Sequence, residues 1–202
     1  MHFRKFALPC LFLLAAPAFL VSSAQTQKTP GSSDVAIEGL FEFTPTVSGN
    51  GITVRASKAG GGGAYFRHSY HWWLGYEAGY TYTRFSEFYT GQIFGYQQNL
   101  HDFSGSYYVH RTTAFGLESF ATAGISALIF SPSLNGGQNV GWQAQPGINF
   151  SGGVNVPLRE HFGARVQYRG VFYQTPNFSR PQLTTNTWRI TSEPEAGIYF
   201  RF

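Results

Sequence analysis

"FGARVQYRGVFY", residues 162–173, changes character at every second position. Phe162, Ala164, Val166, Tyr168, Gly170 and Phe172 fall on one side, and Arg165, Gln167 and Arg169 on the other. A period of two belongs to a β-strand, whose successive side chains point to opposite faces. One face is free of charge and the other carries two arginines. The two faces therefore meet different solvents, and which solvent wets which face decides the fold.

The rhythm is not local. Segments 35–45, 59–71, 73–84, 102–112, 115–130, 142–156, 162–173 and 188–202 all read as strands, and no stretch after Val35 has a 3.6-residue apolar period. Their connections alternate in length. Long ones span 46–58, 85–101, 131–141 and 174–187, and short ones fall at Trp72, 113–114 and 157–161. Eight strands joined in this way predict an all-β, antiparallel up-and-down barrel with two unlike ends. No repeat of 20 to 50 residues is evident, which argues against a solenoid or propeller.

The last segment sets Ala196, Ile198, Phe200 and Phe202 against Glu193, Glu195, Tyr199 and Arg201. Gathered over all segments, the polar face carries Glu38, Glu42, Arg67, Glu77, Glu118, Arg165, Arg169, Glu193, Glu195 and Arg201. The other face is read as essentially free of charge within the spans, His68 near a short turn being the nearest exception. Alternation alone fits a soluble carrier with its apolar face inward or a membrane barrel with that face outward. Composition separates them. Charged residues are 12% of the chain, against about 25% in ordinary soluble domains, and aromatic residues reach 18%. Residues 59–202 contain no lysine, whereas a water-facing wall is rich in it. Large aromatics collect at two rims: Trp72, Phe115, Phe162 and Phe202 at one, Tyr82, Phe130, Trp142, Tyr173 and Trp188 at the other. Trp72, Phe162, Trp142 and Trp188 are the rim residues expected at the two membrane interfaces. Energy agrees. An arginine facing lipid at mid-depth costs about 2–4 kcal/mol, so four together cost about 8–16 kcal/mol, comparable to a domain's whole stability of about 5–15 kcal/mol. The apolar face is expected outward, around a lumen just wide enough for side chains to fill.

The N-terminus reads as an export signal. "MHFRK" is basic, "FALPCLFLLAAPAFLV" apolar, and "SSAQ" small-residued, which places a signal peptide at 1–24, a polar leader at 25–34 and the barrel at 35–202. Cys10, the only cysteine, lies in the segment to be removed. Disulfides, thiolate metal sites and cysteine catalysis are thereby excluded from the mature chain. The formal charge of +4 falls to +2 once Arg4 and Lys5 are removed, and no basic cluster remains to suggest a nucleic-acid partner.

The terminal "IYFRF" (198–202) and the hairpin "GGVNVPLREHFGARVQYRGVFY" (152–173) resemble the small eight-stranded outer-membrane barrels of the OmpA/OmpX type. The resemblance covers about residues 35–202. It implies a bacterial outer-membrane location, contact with outer-membrane lipid and lipopolysaccharide, and an assembly signal at Tyr199, Phe200 and Phe202 read by the barrel-assembly machinery. No peptidoglycan-binding domain follows the barrel here, so tethering to the cell wall in that manner is not expected.

No catalytic, cofactor or metal motif stands out. In "RHSYH" (67–71) His68 and Ser69 are adjacent in a strand and point to opposite faces, which defeats a serine–histidine pair. "HDFSGS" (101–106) lies at a loop edge, and "AGGGGAY" (59–65) lacks the lysine and the helix of a phosphate loop. Those glycines suit a strand that bends or packs closely. The interior Glu/Arg set is the remaining constellation. Arg165 and Arg169 are expected beside Glu193 and Glu195, and Glu38 and Glu42 within reach of Arg201. Such a set either plugs the lumen or lines a thin ion path, and the plug is the reading preferred. The expectation is a non-enzymatic barrel acting in envelope integrity or in surface contact, through loops such as "SEFYTGQIFGYQQNL" (86–100) and a surface partner that the sequence does not specify. A narrow channel for small or apolar solutes, a lipid-modifying enzyme and a soluble lipocalin-like carrier are the alternatives.

Overall fold

The computed structural model of the chain describes residues 31–90, 95–113, 115–134, 138–139 and 141–202. The expected signal peptide and residues 25–30 of the leader lie outside the described residues. Eight long strands form the wall: β1 (Ser33–Glu42), β2 (Ala59–Ser69), β3 (Leu74–Tyr89), β4 (Tyr96–Thr112), β5 (Glu118–Leu134), β6 (Gln143–Pro157), β7 (Phe162–Gln174) and β8 (Trp188–Arg201). Each pairs antiparallel with its sequence neighbours, and β8 pairs with β1 from Asp34↔Arg201 to Leu40↔Glu195, which closes the cylinder. Closure gives every stave two hydrogen-bonded neighbours, the condition a sheet must meet in hydrocarbon.

The faces divide as the period of two demands. Ile37, Phe41, Ile125, Ile148, Val166, Ile198 and Phe200 point outward, while Glu38, Arg67, Glu77, Arg165, Arg169 and Glu195 are buried inside. Trp72, Trp142, Phe162 and Trp188 are also exposed on the outer wall or its rims. Along β3 the outward series Tyr76, Ala78, Tyr80 and Tyr82 meets its first charge at Arg84. The ten-residue step from Leu74 to Arg84, at about 3.3 Å per residue and a tilt of about 40°, rises about 25 Å, the height of the apolar band in such barrels. In the glycine run, Gly61 approaches its neighbour closely: a Cβ there would lie 2.2 Å from the Tyr82 carbonyl oxygen. Only glycine lets β2 pack against β3 at that point.

The long-loop end differs from the expectation. The segment 85–101 is not a loop. β3 continues to Tyr89 and β4 begins at Tyr96, paired as far as Glu87↔Tyr96, so only 90–95 connects them. The connection after β1 also has structure, a small hairpin of Val47–Gly49 and Ile52–Ala56 docked along β3 with Val54 opposite Tyr89. Its turn residues Asn50 and Gly51 both have positive φ, 50° and 76°, the combination an Asn-Gly hairpin turn favours. Smaller shifts occur at strand ends: β1 starts at Ser33, within the expected leader, and β5 starts at Glu118 rather than 115.

Candidate functional site

Among the described residues the chemistry-bearing side chains converge in the lumen, at three levels. At the short-turn end Arg201 Nη2 donates to Glu118 Oε2 at 2.8 Å, and Asn155 Nδ2 donates to Glu118 Oε1 at 3.1 Å. Arg165 reaches Asp34 at 2.6 Å, Asn155 Oδ1 at 2.7 Å and Glu38 at 3.6 Å. Arg67 pairs with Glu77, donates to Gln167 at 3.2 Å and lies over the Phe120 ring with its guanidinium carbon 3.9 Å from the centroid.

At mid-height Arg169 pairs with Glu193 at 2.6 Å and with Asp102, and touches Ser126 Oγ at 3.3 Å. Glu195 accepts from Tyr65 Oη at 2.7 Å and from Gln167 Nε2 at 2.8 Å. Glu42 accepts from Thr83 and, at 2.9 Å, from Thr44. Higher still, Glu87 takes Arg189 at 2.5 Å, Tyr89 Oη at 2.9 Å and Gln98.

Around and above this cluster the interior is largely apolar. Val54, Phe85, Tyr89, Tyr96, Leu100, Leu128, Phe130, Val171 and Tyr173 pack together under Phe178 and Leu183, which the connection 175–187 drops into the mouth. Phe178 and Ser179 sit at φ of 50° and 55°, a region that costs an L-residue about 1–2 kcal/mol each. Burial of Phe178, only 7% exposed, offsets that strain and holds the connection in place.

All ten expected interior charges point into the barrel, nine of them buried and Arg201 half-buried at the rim. Arg169 meets Glu193 as expected, and the other two expected pairings differ. Arg165 joins β7 to Asp34 and Glu38 of β1 rather than to Glu193 or Glu195, and Arg201 crosses from β8 to Glu118 of β5 rather than to Glu38 or Glu42. A narrow bore lets a long guanidinium reach beyond the adjacent strand, so neighbouring register does not choose the partner. Sequence reasoning missed Asp34, Glu87, Asp102 and Arg189, all buried. Their parity was available: Asp102 sits one residue from outward-facing Phe103, and Arg189 one residue from outward-facing Trp188. Phe130 and Tyr173, expected at the lipid rim, are instead fully buried in the apolar upper core. Of the assembly-signal residues, Tyr199 faces inward while Phe200 and Phe202 face out.

The histidine candidates separate in space. His68 faces outward to Ser33 Oγ at 2.9 Å while Ser69 is inside against Tyr108. His101 meets Tyr80 Oη on the outer wall at 2.9 Å, and Asp102 is inside on Arg169. Neither pair can relay a proton to a common substrate. Among the described residues no group of three His, Cys, Asp or Glu side chains is arranged to hold a metal ion.

No family model matches the chain, and no curated protein does. Solved structures do. Neisserial surface protein A superposes with a TM-score of 0.61 at 17% identity, over 85% of this chain and 99% of that one. The outer membrane protein OprG of Pseudomonas aeruginosa gives 0.62 at 11%, over 86% and 96%. Ail, the attachment invasion locus protein of Yersinia pestis, in complex with the heparin analogue sucrose octasulfate, gives 0.55 at 12%, over 86% and 100%. The fold is that of the small eight-stranded outer-membrane β-barrels.

Proposed function

We propose that the protein is a non-enzymatic barrel of the bacterial outer membrane that acts in envelope integrity or surface contact, its wall an anchor and its long-loop end the working surface. One observation carries the reading. A water-filled bore would wet the interior side chains, yet Arg165 and Asn155 are 0% exposed, Glu42 1% and Arg189 2%, at successive heights. Ion pairs crowd the lumen and apolar side chains pack with them toward the mouth, which supports an anchoring wall over an open path. The attachment and invasion in the Yersinia pestis protein's name supports a contact role. Export, and insertion by the assembly machinery through Phe200 and Phe202, belong to the same reading. The test is reconstitution into planar bilayers, together with the lipid A profile of a deletion strain. No steady conductance and an unchanged profile are expected. A stable open level would restore the channel, and an altered acyl pattern would restore the enzyme.

A further inference from the structure

An open cleft of about 490 Å³ lies at the long-loop end, between the turn of the small hairpin and the connection 175–187. Sites for small ligands occupy about 300–1,000 Å³. Asn50 and Ile52 form one side, and Asn177, Ser179, Arg180 and Pro181 the other. Both sides are fixed. Asn50 Nδ2 donates to the Thr184 carbonyl at 3.1 Å, and a Cβ on Gly49 would lie 2.1 Å from the Thr185 carbonyl oxygen. The hairpin is therefore pressed against the connection. Gln143 Oε1 accepts from the backbone N–H groups of Asn177 at 3.1 Å and Phe178 at 2.6 Å, which ties the other side to β6.

Backbone strain gathers at this junction and nowhere else among the described residues. The non-glycine residues with positive φ are Asn50, Phe178, Ser179 and Asn186. Two of them line the cleft, and the other two belong to the connection that builds its wall. Such conformations persist only where the surroundings impose them, and they cluster at ligand clamps.

Charge then selects the ligand. The sequence has ten acidic side chains, and nine are buried in the lumen. The tenth, Glu160, is exposed in the short turn between β6 and β7, at the opposite end. No carboxylate side chain is left to pair with Arg180, which stands half-buried at the cleft. Its backbone is held in place: its N–H donates to the Asn177 carbonyl at 2.9 Å, and its carbonyl accepts from Thr184 Oγ1 at 3.1 Å. Asn177 Oδ1 accepts the Ser179 N–H at 3.1 Å, which leaves Nδ2 as a donor. A planar guanidinium offers parallel N–H groups to the two coplanar oxygens of a carboxylate. Sulfated chains bring closely spaced charges that call for several cations, and Arg180 is the one cation lining this cleft. Amide and hydroxyl groups suit the hydroxyls of a sugar, and Ile52 and Pro181 suit the C–H face of its ring.

We propose that the cleft binds an acidic sugar, with the carboxylate on Arg180, hydroxyls on Asn177 and Ser179, and the ring on Ile52 and Pro181. The proposal deepens the surface-contact reading above and rests on it for the outward position of the mouth.

The test uses the full barrel refolded in detergent micelles, its folding checked by heat-modifiable gel migration. Two acidic probes are titrated by calorimetry, methyl glucuronide and the methyl glycoside of N-acetylneuraminic acid. At least one should bind, and methyl glucoside and glucose 6-sulfate should bind about tenfold more weakly or not at all. R180Q should weaken the acidic probe about tenfold or more, and R180K, which keeps the charge without the fork, should weaken it less. N177D keeps the acceptor for Ser179 but sets a carboxylate against the ligand, so it should also lose binding. R159Q, at the other end, should bind as the wild type does. Binding of neither acid, equal binding of methyl glucoside, preference for the sulfate, unchanged binding by R180Q, or equal loss in R159Q overturns the proposal. The outward position is judged separately. R180C on intact cells should react with a membrane-impermeant maleimide, with the wild type as the blank. Absence of labelling would overturn the surface reading, whereas the titration in micelles judges the cleft alone.

Discussion

Arg169 offers the sharpest test of what fills the lumen. Its guanidinium is 4% exposed, bonded to Glu193 at 2.6 Å and to Asp102, so R169M strands two carboxylates at mid-height. Removing one partner of a buried pair costs about 3–5 kcal/mol, chiefly because the remaining charge is left uncompensated. At about 1.4 kcal/mol per factor of ten, the folded-to-unfolded ratio should fall by two to three and a half powers of ten. The matched variant R169M/E193Q/D102N removes the stranded charges along with the guanidinium, and it should recover most of that loss. Equilibrium urea unfolding in detergent micelles, read by tryptophan fluorescence and by migration of unheated samples, gives both values. Planar-bilayer current is recorded on the same preparations. A loss below about 1 kcal/mol in R169M, or a rise in conductance with stability intact, would refute the plug.

Three further outcomes follow from the wall and the cap. Ile125 is 72% exposed on the outer wall, so I125R should lower stability by about 2–4 kcal/mol and cut insertion yield into vesicles. A Cβ on Gly197 would lie 2.0 Å from the Ile37 carbonyl oxygen, and G197A should cost about 1–3 kcal/mol in the same unfolding assay, whereas G105A, with nothing within 4 Å, should not. The double variant F178A/L183A removes the side chains that the connection 175–187 inserts into the upper core, and external protease should then cleave that connection. The variant should still pass no steady current, because the paired charges below are untouched.

The period of two made the staves and their facing legible, because lipid and lumen impose opposite demands on alternate positions. It failed beyond the bilayer for a physical reason. Above Arg84 the outer solvent becomes polar and much of the interior apolar, so the preference partly inverts while the period persists. Phe85, Tyr89, Tyr96 and Leu100 point in beside buried Glu87 and Gln98, and Arg84, Gln97 and Asn99 lie on the outer wall beside exposed Phe88. A reading that expects apolar residues outside sees only irregularity there, and 85–101 passes for a loop. Phe130 and Tyr173 were misplaced by the same inversion. Pairing in the lumen was illegible for another reason: β7 meets β1 through Arg165 and Asp34, residues 131 apart in sequence and two strands apart around the barrel. Parity says which side chains face inward, and only the shape of the bore says which of them touch.

The joint between β1 and β8 has a consequence for how the molecule comes into being. The two strands that form it lie at opposite ends of the cylinder's sequence, and Asp34 faces Arg201 across it. Until both are present the sheet has two bare margins, whose backbone amides and carbonyls find no partners in hydrocarbon, at several kcal/mol for each group. Zipping this clasp is therefore an all-or-none event that no shorter version of the wall can imitate. Damage to β8 should abolish the product rather than weaken it, and the cell is left with either a finished cylinder or debris for its proteases.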